Sequence, residues 1–95
     1  MRLALAFSTL LVLTSLAQAA PPSAAQKNEF YGVCMSIASN ESLCSCKGEA
    51  AMELIDSAFM TLVISAMKGE TYPADEQGTY DRYIQQSNAV CIPGY

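Results

Sequence analysis

Apolar residues fall along the chain in one mostly apolar run followed by three stretches of helical period. The run comes first: "MRLALAFSTLLVLTSLAQAA" has Arg2 ahead of a mostly apolar Leu3 to Leu13, and Ala17-Gln18-Ala19 fits the small-x-small cleavage pattern. Residues 1–19 are therefore read as a signal peptide, cut after Ala19. The apolar core is too short for the roughly 20 residues that a bilayer span needs. No cysteine stands at the cut to take a lipid. Residues 20–95 are expected as one domain, periplasmic or secreted, with no membrane attachment once the signal is removed.

The first periodic stretch is "AAQKNEFYGVCMSIAS", where Phe30, Val33, Cys34 and Ile37 recur at i, i+3, i+4 and i+7. Ser23 stands where an N-cap belongs. "SNES" (39–42) then interrupts with small polar residues that favour turns, and Ser42 is the expected cap of the next helix. That second helix reads as long, from Leu43 to Lys68. Its apolar positions come in pairs: Ala50/Ala51, Leu54/Ile55, Ala58/Phe59, Leu62/Val63 and Ala66/Met67. Gly69 after Lys68 is a good stop. Pro73, Asp75 and Glu76 are placed to open a short turn. Tyr80, Tyr83, Ile84, Ser87 and Cys91 form the last stripe, a helix over 79–90. The expected fold is all-α, a three-helix antiparallel arrangement with one long central helix, stapled by two disulfides.

Charge narrows the partners. After residue 19 four bases stand against nine acids, a net charge of −5. Phosphate binding depends on clustered Lys and Arg, so nucleic acid and anionic membranes are not expected, whereas a basic protein would suit.

Four cysteines in a short exported chain read as a disulfide framework. Cys44 and Cys46 point about 200° apart on a helix, so each is expected to reach a different partner. Matching heights across a hairpin favours Cys34–Cys46 with Cys44–Cys91. Cys34–Cys44 with Cys46–Cys91 stands close behind.

The pair Cys44-Ser45-Cys46 also admits sharper chemistry. A cysteine near a helix N-terminus has a lowered pKa, and Lys47 is adjacent, which would suit a thiol redox protein. Thiolates with Met35, Met52, Met60 and Met67 would suit a soft metal ion. Against both, Cys34 and Cys91 offer structural partners, and methionines at helical spacing are ordinary packing residues. Glu49, Glu53 and Asp56 share a helix face and read as a solvated surface. With no histidine in the chain, the commonest general base is missing. No catalytic, cofactor-binding or metal-binding residue is assigned.

The long helix carries one further signal. At about 100° per residue, Met60, Ile64 and Met67 fall within about 60° of Glu49 on the helical wheel. The face that is acidic early becomes apolar late. The shorter first helix would leave that end uncovered. Phe59, Met60, Val63, Ile64 and Met67 are therefore expected to form an exposed apolar patch, for a protein partner or a second copy, unless 70–78 folds over it.

From Phe30 to Cys91 the chain resembles small exported bacterial helical proteins without assigned function. Those carry a lone cysteine (here Cys34), a turn, then Cys-x-Cys (Cys44 and Cys46) opening a long helix. It is also similar to periplasmic immunity proteins of the Tai type in its helical core, its cysteines around the first turn and its late Cys91-Ile92-Pro93. Lys47-Gly48 stands where that family has an aromatic and a glycine, and the family continues with a further helix. That resemblance implies antagonism of peptidoglycan amidases, and it transfers no functional residue. Acid-stress chaperones of the HdeA type compare in size, compartment and helicity. The reading reached is a non-enzymatic binding protein acting through protein–protein contacts, of immunity, inhibitor or chaperone type. Its alternative is thiol redox or metal handling at Cys44 and Cys46.

Overall fold

A computed structural model describes residues 20–71 and 73–92. The expected signal peptide, Tyr72 and the Pro93-Gly94-Tyr95 end lie outside the described residues. Four α-helices and one 3-10 turn follow in order: α1 (Ala24–Ala38), α2 (Glu41–Leu54), α3 (Ser57–Met67), the turn Ala74–Glu76, and α4 (Gln77–Cys91). No strand occurs among the described residues.

Ser23 caps α1 as expected. Its hydroxyl accepts from the Gln26 backbone N–H at 3.1 Å, while the Gln26 side chain accepts from the Ser23 N–H at 2.9 Å. This closes a reciprocal capping box that satisfies two otherwise orphaned donors. At the far end Ser39 turns left-handed (φ 49°), and its N–H reaches back to the Met35 carbonyl at 3.1 Å. The next cap is Asn40 rather than Ser42. Its side chain accepts from the Leu43 N–H at 3.1 Å, so α2 starts two residues earlier than expected.

The structure corrects the favoured disulfide pairing. The bonds are Cys34–Cys44 and Cys46–Cys91, each with Cα atoms 5.6 Å apart. With α2 beginning at Glu41, Cys44 and Cys46 lie about 4.5 and about 7.5 Å along it, equally near the roughly 6 Å by which Cys34 precedes the end of α1. Facing decides, not height: Cys44 is on the α1 side of α2, and Cys46, about 200° round, is left for α4.

The single long central helix is also corrected, to two helices. Ile55 is extended (φ −132°, ψ 161°), and the Asp56 carboxylate accepts from the Phe59 N–H at 2.7 Å, capping α3 afresh. The break lets α3 pack on α1. Phe59, Met60, Val63 and Ile64 then enter the core with Phe30, Cys34, Cys44, Ala51 and Tyr83. Each large apolar side chain gains about 1.5–3 kcal/mol on burial. A helical hydrogen bond lost at the break costs only about 1 kcal/mol net. Burial wins.

This overturns the expected exposed patch. Phe59, Met60, Val63 and Ile64 are between 0% and 7% exposed, and Met67 is half-buried against the core. α1 supplies the cover.

Polar contacts fix the crossing of α1 and α3. The Gln26 amide donates to the Ser57 carbonyl at 2.8 Å and to the Thr61 hydroxyl at 3.2 Å, and the Ser57 hydroxyl donates back at 2.9 Å. At the far end of α3, Lys68 pairs with Glu29 of α1 at 2.8 Å. Gly69, at φ +88°, then completes a Schellman turn: its N–H bonds the Ala66 carbonyl and that of Glu70 bonds the Ser65 carbonyl, each at 3.0 Å.

Candidate functional site

Both bridges end on α2, one on each side, so α1 and α4 are clamped to a common helix. Among the described residues no cysteine is free and no group of three potential ligands is gathered for a metal ion. Met35 and Met67 pack at the edge of the core and Met60 inside it. The three carboxylates expected on one solvated face diverge in role. Glu49 is ion-paired with Lys27, Asp56 caps α3, and Glu53 is exposed.

The lysines divide. Two of the three described lysines pair with glutamates, Lys27 with Glu49 and Lys68 with Glu29. The hydrogen bond and charge of Glu29 raise the pKa of the Lys68 ammonium. Lys47 does otherwise. From α2 it reaches across to α4, where its ammonium donates to the Ser87 hydroxyl at 2.8 Å and to the Asn88 side-chain carbonyl. Both acceptors are neutral, and among the described residues Lys47 makes no ion pair. Partial burial holds its pKa below the usual lysine value.

Around this lysine Ser87 is fully buried, and its hydroxyl also donates to the Ile84 carbonyl at 3.2 Å. Tyr83, one turn earlier, is 3% exposed, and its phenolic oxygen is buried with no hydrogen-bond partner. The Ser87 hydroxyl beside it is already committed to Lys47 and Ile84. Burial pushes the Tyr83 phenol up to about 12, with Ser87 pulling the other way and Tyr80 adding to the rise.

Lys47 and Tyr83 share the lining of a half-open cleft of about 160 Å³ that draws on all four helices. Its apolar walls include Phe30 of α1, Leu43 of α2, Val63 and Met67 of α3 and Ile84 of α4.

A second feature lies along α2 and the end of α4. Cys46, Glu49, Ala50, Glu53, Leu54 and Val90 line a shallow cleft of about 240 Å³. Val90 is 67% exposed and Leu54 38%. Apolar and acidic side chains alternate there on an open surface.

None of Lys47, Tyr83, Ser87, Asn88, Leu54 or Val90 was singled out as a site residue from sequence. A signal existed for two of them. Lys47 interrupts the stripe Leu43–Lys47–Ala51, and Ser87 interrupts Tyr80–Tyr83–Ile84–Ser87–Cys91. Polar residues at core positions require partners, and here each is the other's.

Compared with known proteins, the chain matches no family model, no curated protein and no solved structure.

Proposed function

We propose that this protein is a non-enzymatic, exported binding protein, and that its protein partner docks on the acidic–apolar face formed by α2 and the end of α4. One observation carries the reading: Leu54 and Val90 stand exposed beside Glu49 and Glu53 on helices that the Cys46–Cys91 bridge holds together. A preformed surface loses little conformational freedom on association. Glu49 is held by Lys27, so exposed Glu53 supplies the charge that favours a partner basic around an apolar centre.

The periplasm or the medium is the compartment this reading assumes, since disulfides persist where the environment is oxidising. Immunity or inhibitor action fits a folded basic target on such a surface. Chemistry at Cys44 and Cys46 is the weaker alternative, because both sulfurs are engaged in bridges.

A labelled Lys/Leu amphipathic helical peptide provides the test. The oxidised protein is expected to bind it, less tightly as salt rises, with loss of binding in Val90→Asp and weakening in Glu53→Lys. Equal binding of the matching Glu/Leu peptide, or unchanged binding in both variants, would overturn the reading.

A further inference from the structure

We propose that the cleft where all four helices meet is a binding site for a small amphipathic anion, an aliphatic or aryl carboxylate, whose tail lies among Phe30, Val63, Met67 and Ile84 and whose head is received by Lys47. This site is separate from the α2–α4 face and does not depend on it.

Three independent observations converge. The first is charge. In a chain carrying nine acids after residue 19, the half-buried Lys47 has neutral partners only, although the other two described lysines have found glutamates. An ammonium has three donors, and Ser87 and Asn88 take two. One donor and the whole positive charge remain for an incoming anion. Hydrogen bonds to charged groups are the strong ones, and a partly desolvated site strengthens them further.

The second is the phenol of Tyr83, nine-tenths buried and lining the same cleft, which lies near Ser87 but makes no hydrogen bond of ordinary geometry. An unpaired buried polar group is a standing cost to the fold. A carboxylate seated on the third Lys47 donor leaves the Ser87 bonds in place and brings an acceptor into the cleft that Tyr83 lines. The third is size. A cavity of about 150 Å³ lined by aliphatic and aromatic groups accepts a benzene-sized guest, and this cleft offers about 160 Å³ with an open mouth. A short acyl chain or one aromatic ring fits that space, while a phospholipid with two long chains does not.

Other chemistries fit less well. A cationic amphiphile would meet Lys47 head-on. A phosphorylated ligand would want several basic groups, and among the cleft's lining residues Lys47 is the one base.

The experiment uses the oxidised protein over residues 20–95 and three eight-carbon probes: octanoate, octylamine and octanol. Binding is followed by amide chemical shifts and titration calorimetry. Octanoate is expected to bind at least about tenfold more tightly than octylamine, with octanol between them, and to shift resonances of Phe30, Val63 and Ile84. Lys47→Met should abolish the preference while leaving octanol binding intact. Ile84→Trp should exclude all three. A thermal melt on each variant separates lost binding from lost fold. If Lys47→Met is destabilised, Lys47→Arg keeps the test open, since it should retain the preference for the anion. Equal affinity for octanoate and octylamine, shifts that map elsewhere, or an anion preference surviving in Lys47→Met would each overturn the proposal.

Discussion

The corner between α1 and α2 and the corner between α2 and α4 are each closed by one disulfide, yet they are held by different means. Cys34–Cys44 joins residues ten apart, across a turn already fixed by Ser39 and the Asn40 cap. Cys46–Cys91 joins residues 45 apart, across α3 and the connection that follows it. The first bridge closes a short, local loop. The second closes a long one, beside the Lys47 bonds to Ser87 and Asn88, and both candidate sites border it.

Breaking the second bridge should therefore do the most damage. Loop-closure entropy gives about 4 kcal/mol for a 45-residue span, against about 3 kcal/mol for ten residues. Cys46→Ser with Cys91→Ser is expected to lower stability by about 4 kcal/mol in denaturant titration and to release α4 first, seen as early exchange of its amides. Cys34→Ser with Cys44→Ser should cost about 3 kcal/mol, with exchange rising more evenly. An equal or reversed ranking would remove the distinction between the corners.

Alkali probes the same contrast more gently. Tyr83 belongs to α4, and its pKa is raised from 10.0 to about 12 on folding. Its neutral form therefore contributes fully below about pH 10, and that contribution is lost as pH climbs from 10 to 12. Absorbance titration should show one tyrosine ionising last, together with loss of the fold. Substitution of Tyr83 by Phe should delay that loss.

The smallest effect belongs to the first corner. Gly48 lies inside α2, where an added Cβ would meet Phe30 and Lys27 side-chain atoms at 3.7 and 3.8 Å, ordinary contact distances. Gly48→Ala should raise stability by about 0.5–1 kcal/mol through helix propensity alone. A loss instead would mean that α1 and α2 pack more tightly than those distances indicate.

Helical period and the cap at Ser23 made α1 legible from sequence, and the stripe from Tyr80 to Cys91 did the same for α4. The break at Ile55–Asp56 was not legible. The paired apolar positions run straight through it, and neither residue is a glycine or proline. Asp56 reads equally well as an exposed helical acid or as a cap, and only the gain from packing α3 on α1 decides between them. The same decision hid the site. Once α3 folds back, Phe59, Met60, Val63 and Ile64 leave the surface, and Val63 and Met67 become walls of the cleft beside Lys47. Side-chain pairing across helices 40 residues apart, as between Lys47 and Ser87, has no local signature beyond a polar residue in an apolar stripe.

Cys44 and Cys46 stand within one turn of α2 and face opposite ways. Parting α1 from α4 at the level of the bridges therefore loads that one turn. Reduction would release both ties on that turn, leaving α1 and α4 held to α2 by packing and side-chain contacts alone.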